Sequence, residues 1–277
     1  MDSPDLDLLA AAYPDRHATF PVSLTHGALT RSALADLAEA LPAELVEYNS
    51  GALPVAVDPQ AVAPVPMTAR EAIMAMDSHN LWMTLRNIER DATYRALLEE
   101  TLAGFAAVAA PSTGPMMDRQ GFVFLSSPGA TTPFHIDEEH NVLIQIDGHK
   151  EMTIFSPADR AVVPQEALED FHSGGHRNQP LPEALAARGE TITLTPGQAV
   201  YVPPLAPHFV KVTGETPSLS LSVTWRSAAS RRACYLHQIN HTLRRYGARP
   251  RFPGVAPITD QLKIWGASAT ARLTGRW

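Results

Sequence analysis

The period of the hydrophobic positions changes near Gly121. Upstream, Leu34, Leu37 and Leu41 recur at helical spacing and predict a short amphipathic helix that Pro42 ends, while Leu97, Leu98, Leu102 and Phe105 predict another over 92–106. Thr68 and Glu71 stand in capping-box spacing and start a helix running to about Met76. Between these elements, 81–86 alternates as a strand does, and Pro54, Pro59, Pro64 and Pro66 mark an extended connector. From Gly121 to Trp225 the chain breaks into eight short β-rich runs: 122–125, 133–137, 141–147, 150–155, 191–195, 199–203, 208–213 and 219–225. Asp147-Gly148 and Pro196-Gly197 supply turns. One interruption, 156–189, divides the strands four and four; loops of that length usually cover a site or stay disordered, and a covering loop is expected here. Helical spacing then returns, with Leu236, Ile239 and Leu243 over 228–246 and Leu262, Ile264, Trp265 and Leu273 over 259–273.

Eight strands with neither a repeat nor βαβ alternation predict a sandwich or jelly roll whose mouth can hold a ligand. The expected class is mainly β with flanking helices. Three regions follow: 1–118, mixed and mainly helical, packing on the barrel; 119–227, the β core with its insertion 156–189; and 228–277, helical. The two terminal helices carry apolar surface that either packs on the barrel exterior or joins two copies in a homodimer.

Composition narrows the class of partner. The 277 residues, 45% of them hydrophobic, suffice for one large domain, and a net charge of −7 without a basic block argues against nucleic acid. The single cysteine, Cys234, excludes an intrachain disulfide. The acidic start, Met1-Asp2-Ser3-Pro4-Asp5, is unlike a signal peptide, and no apolar run approaches the ~20 residues that cross a bilayer. Membrane association is therefore not expected, and a cytoplasmic location is.

Candidate chemistry centres on Thr131-Thr132-Pro133-Phe134-His135-Ile136-Asp137. In a strand, His135 and Asp137 fall on one face, so an imidazole and a carboxylate point into the same space. Two such ligands do not close a metal site. His208, entering a later strand after Pro207, would complete a two-His-one-carboxylate triad, the arrangement of non-haem Fe(II) oxygenases. Parity adds a pocket wall: Asn141, Leu143 and Gln145 share one strand face, and Lys150, Met152 and Ile154 share the next.

These residues carry a resemblance. Thr132-Pro133-Phe134-His135-Ile136-Asp137, followed by Asn141, Gln145 and Gly148-His149-Lys150, resembles the core of the JmjC or cupin-like (Cupin_8) Fe(II)- and 2-oxoglutarate-dependent oxygenases, nearest the factor-inhibiting-HIF asparaginyl hydroxylase type. Pro196-Gly197-Gln198-Ala199-Val200-Tyr201-Val202-Pro203 and His208 are similar to that family's distal segment, so the likeness covers about 120–226. It implies a double-stranded β-helix core, Fe(II) on His135, Asp137 and His208, and 2-oxoglutarate held by Lys150 and Thr132 with a polar contact from Asn141. It also implies oxidative decarboxylation to succinate and CO2, coupled to hydroxylation of a protein or peptide side chain, with N-demethylation or a small-molecule substrate as alternatives.

The remaining residues divide between pocket and packing. Phe124 is expected either against the cosubstrate's methylenes or in the core, and Trp225 either at the pocket mouth or packed. The family's last-strand asparagine is replaced by Ser220, Ser222 and Thr224, which makes Ser222 or Thr224 the inner contact; Trp82 or Thr84 stands in for an upstream tyrosine. His140 and His149 are expected at the surface, and His172 and His176 in a solvated loop or touching substrate. Two rivals stay open: a non-catalytic cupin-like binding protein, and a cupin enzyme that uses metal without 2-oxoglutarate.

Overall fold

A computed structural model describes residues 6–51, 55 and 65–274; Pro54, Pro59 and Pro64 of the expected connector lie outside the described residues. In chain order the elements are α1 (Asp7–Ala12), β1 (Ala18–Pro21), α2 (Arg31–Ala40), β2 (Val46–Ser50), α3 (Ala69–Met74), β3 (Leu81–Arg86), α4 (Ala92–Thr113), β4 (Met117–Ser126), β5 (Thr131–His135) and β6 (His140–Asp147). There follow β7 (Lys150–Ile154), α5 (Gln165–His172), α6 (Glu183–Ala186), β8 (Glu190–Leu194), β9 (Gln198–Val202), β10 (His208–Val212), β11 (Ser218–Arg226), α7 (Ala228–Arg245) and α8 (Pro257–Thr274).

The eight expected runs are β4 to β11. They divide between two antiparallel sheets, one ordered β1-β9-β6-β11-β4-β3-β2 and one ordered β5-β10-β7-β8, which make a cupin-like jelly roll. Region 1–118 supplies three of the seven strands of the larger sheet, β1, β2 and β3, as well as α1 to α4. Thr68 caps α3 as its spacing requires, accepting from the Glu71 N–H while Glu71 accepts from the Thr68 N–H.

Period-two alternation explains where the cores lie. On β6, Val142 and Ile144 face outward into the main core, which they share with Leu34 and Leu37 of α2 and Leu98 and Phe105 of α4; Leu143 faces inward and packs between the sheets with Met152, Val200 and Val210. His140 lies on the outward face, opposite Trp225 of β11. It is therefore not a surface residue, contrary to expectation. It is 2% exposed, its Nδ1 and Nε2 lie 2.7 Å from the Tyr201 hydroxyl and 3.1 Å from Ser227 Oγ, and its ring stacks on Trp225 at 5.4 Å. Trp225 is buried in the same cluster and does not reach the pocket, because its parity matches that of Leu221 and Val223 in the main core.

The insertion is ordered against the smaller sheet. Ile136 N–H donates to the Arg177 carbonyl and Gln179 N–H to the Phe134 carbonyl, which adds a short extended segment beside β5. Phe134 and Ile136 pack with Phe155, Val163 and Leu168, and α5 in turn rests on α7, where Arg244 pairs with Glu169 at 2.6 Å. His149 and His176 are exposed, while His172 is buried beneath α7 and so is not part of a solvated loop.

Gly148 fixes the β6–β7 turn. Its φ is +69°, and a Cβ there would sit 2.4 Å from the Pro217 carbonyl oxygen. Gly148→Ala is expected to cost more than about 2 kcal/mol in urea unfolding, since the strained backbone conformation and the clash add. A midpoint unchanged from wild type would contradict this account of the turn.

Candidate metal centre

β10 lies between β5 and β7. Its register sets His208 opposite His135 on one side and Ile154 on the other, with an irregularity between His208 and Val210. Both imidazoles are 3% exposed and their ring centroids are 4.1 Å apart. His135 Nδ1 lies 2.7 Å from the Pro133 carbonyl oxygen, and His208 Nδ1 lies 3.0 Å from that of Ala206. A carbonyl only accepts, so each Nδ1 carries the proton and each Nε2 keeps its lone pair free. Both Nε2 atoms face Asp137 Oδ2, at 3.5 and 3.7 Å.

Charge states suit metal binding. Burial, then the neighbouring His135, pushes His208 down to about 3, so it is neutral at pH 7. Burial acts to raise the Asp137 carboxyl, but Arg177, His135 and His208 together hold it well below the usual carboxylate range. A neutral imidazole and an ionised carboxylate are the ligand forms a divalent cation needs. The two free Nε2 atoms and Oδ2 thus fit a cation with an N2O donor set.

These three residues line one cavity of about 560 Å³ together with Lys150, Thr132, Asn141, Phe124 and Ser222. Lys150 points inward from β7 four residues beyond the His208–Ile154 pair, about 13 Å along the strands. It is 4% exposed, and burial alone pushes its ammonium down to about 7. Thr132 Oγ1 accepts from Trp82 Nε1 at 2.9 Å, which leaves its own proton available to the cavity. Ser222 Oγ donates to Asn141 Oδ1 at 2.8 Å and so turns the Asn141 amide N–H groups toward the cavity.

A family model described as a cupin-like domain matches residues 63–230, more than half of the chain. The chain belongs to the cupin-like domain family. Jumonji C domain-containing protein 5 of Drosophila melanogaster is 29% identical over 110 residues, which are 37% of this chain and 26% of that protein. Among solved structures, ycfD of E. coli matches with a TM-score of 0.51 at 14% identity, over 91% of this chain and 60% of that one, a likeness of fold. A ribosomal oxygenase YcfD from Escherichia coli in complex with cobalt and 2-oxoglutarate matches with a TM-score of 0.46 at 16% identity, over 87% and 57% of the respective chains. This chain thus spans about a quarter of the fly protein's length and about three fifths of the ycfD chain.

The cupin-like core brings His135, Asp137, His208, Lys150, Thr132, Asn141, Phe124, Ser222 and Thr224 to one cavity, while Gln145, Trp82 and Thr84 are not among the residues that line it. Gln145 shares the inward parity of Asn141 but is sealed off, bonded to Ser218, Ser220 and the Asp147 and Gly148 carbonyls. Arg177 of the insertion lies 3.3 Å from Asp137 Oδ1, and Arg226 of β11 binds both Glu138 and Glu139 at the mouth. No spacing in the sequence marks Arg177, which approaches from a segment with no periodic pattern. Glu138 and Glu139 directly follow the Asp137 motif, and that adjacency was a signal available to sequence reading.

Lys150 is a cost to this fold. A fall from 10.5 to about 7 corresponds to a penalty on the order of 5 kcal/mol below pH 7, because the unfolded chain binds the proton more tightly. Between pH 7 and 10.5 the unfolded state holds more protons than the folded state, so the penalty shrinks as pH rises. Lys150→Met in the ligand-free protein is therefore expected to raise unfolding free energy at pH 6–7 by several kcal/mol, with the gain fading toward pH 10. A destabilised Met variant in chemical denaturation would contradict this reading.

Proposed function

We propose that the chain is an Fe(II)- and 2-oxoglutarate-dependent oxygenase that hydroxylates a side chain of a protein or peptide. The carrying observation is one cavity with two free imidazole Nε2 atoms and a carboxylate at one place and a buried ammonium, in no ion pair among the described residues, farther along the same strands. Family membership supports it. When bound, iron and 2-oxoglutarate supply oxidation of a C–H bond by O2, with succinate and CO2 as coproducts.

The chain's own groups have separable tasks. His135 and His208 are held in one tautomer by the Pro133 and Ala206 carbonyls, so they meet the cation without turning. Lys150 offers a full charge to the distal carboxylate of the cosubstrate, and Thr132 and Asn141 add hydrogen-bond donors. Phe124 closes an apolar wall that suits the methylenes. The cavity exceeds what a five-carbon diacid fills, and its mouth is lined by Glu44 and Arg86 from the N-terminal region and by Phe171 and Arg177 from the insertion. A polypeptide lying across that mouth would contact both regions while one side chain enters. On α8, the exposed Ile258, Leu262 and Trp265 suit burial against a second copy.

Anaerobic titration of 2-oxoglutarate into Fe(II)-loaded protein is the decisive measurement. A metal-to-ligand charge-transfer band is expected, absent in His135→Ala; no band in the wild type would favour a binding protein or a metal enzyme of another kind. Lys150→Ala should keep iron but weaken 2-oxoglutarate by roughly 2–5 kcal/mol, thirtyfold or more. The carboxylate raises the lysine's affinity for its proton, so binding takes up a proton above pH 7 and wild-type affinity should fall as pH rises from about 7. Peptides incubated with enzyme should gain one oxygen, read by mass spectrometry, together with succinate; oxygen gained only by small molecules would overturn the polypeptide assignment.

A further inference from the structure

A second group of ligand-type side chains lies beside the first and has no task in it. Glu138, His172 and Cys234 come from three separate places: the loop after β5, the end of α5, and α7. One donor atom from each lies within 4.8 Å of the other two. A tetrahedral site with bonds of about 2.0–2.3 Å has edges of roughly 3.3–3.8 Å, so the cluster closes with about an ångström of contraction.

The polar atoms here are incompletely used. His172 is 8% exposed and neither ring nitrogen has a hydrogen-bond partner; its Nδ1 points at Glu138 Oε2 from 3.5 Å. Leaving a buried imidazole unbonded costs about 1–3 kcal/mol, a cost that a bound cation would remove. Arg226 engages Glu138 Oε1, which leaves Oε2 to face His172 Nδ1. His237, one turn after Cys234 on the same face of α7, stacks on His172 at 4.9 Å and fixes its ring plane.

We propose that Glu138, His172 and Cys234 form a second metal site, distinct from the His135–Asp137–His208 centre, for a borderline-soft divalent cation of the zinc type. A thiolate, an imidazole and a carboxylate are the donor mixture zinc accepts, with a fourth position for water. The cation ties α5 to α7 and to the residue next to Asp137. It thereby pins the helix whose Phe171 lines the cavity.

Cobalt(II) is the probe, because thiolate ligation gives a near-ultraviolet charge-transfer band that the sulfur-free first centre cannot produce. Cys234 is the chain's one cysteine, so the band reports this site alone. Full-length, metal-free protein should bind two equivalents, one with the band; Cys234→Ser should bind one, without it. The double change His135→Ala, Asp137→Ala should keep the band. His172→Gln should weaken the band-bearing equivalent at least about tenfold, and Glu138→Gln gives the same readout should the His172 variant fail to fold. No thiolate band in the wild type overturns the proposal, as does a band with unchanged affinity in the folded His172 or Glu138 variant.

Discussion

The register of β10 between β5 and β7 is the constraint on which the site depends. With His208 opposite His135, Val210 and Val212 face inward, and Val210 packs on Met152 and Leu194 in the core between the sheets. A slip of one residue would turn Phe209 and Lys211 inward and point His208 at solvent. Val210 and Val212 are nearly buried while Lys211 is exposed, so the hydrophobic pattern that selects the register is the one that aims the imidazole. The convergence of the two imidazoles is in this sense a by-product of burying two valines.

Local chemistry then sharpens what register sets coarsely. Each candidate imidazole closes onto a carbonyl two residues earlier in its own chain, Pro133 for His135 and Ala206 for His208. These short closures sit at the start of β10 and the end of β5, so the tautomer of each ring needs no help from distant parts of the fold. Lys150 is held differently. Nothing offsets its desolvation among the described residues, and the stability it forgoes is provided by the much larger core between the helices and the outer face of the seven-stranded sheet. A domain with that reserve can tolerate an unpaired amine buried in its interior.

Much of this was legible in the sequence. Period-two runs located β4 to β11, and parity separated Asn141 and Leu143, which line the cavity, from Val142 and Ile144, which do not. What escaped depends on contacts between distant segments. His140, an odd number of residues from His135 and past Asp137, is expected to face away or sit in a connection; it does face away, but Tyr201 and Trp225 on the neighbouring β9 and β11 cover it, and the pairing of β1 with β9 brings Tyr13 over it as well. β1 and β2 are short edge strands of four and five residues, too brief to carry a period. Gln145 has the parity of a pocket residue, yet four backbone and hydroxyl partners in β6, its following turn and β11 draw it away, which no single-strand pattern encodes.

The insertion follows the same logic at the level of one carboxylate. Asp137 has two oxygens with different neighbours: Oδ2 faces both imidazoles, and Oδ1 faces the Arg177 guanidinium 3.3 Å away. An oxygen already engaged by a cation is a poorer donor to a second one, so if a cation were held by His135, Asp137 and His208, Arg177 would favour Oδ2 over Oδ1 as the Asp137 donor. Arg177 keeps that position because the backbone around it hydrogen-bonds to Phe134 and Ile136, the residues flanking His135. The segment that covers the site and the strand that builds it are therefore one hydrogen-bonded unit. Displacing the cover would release Asp137 as well as open the cavity.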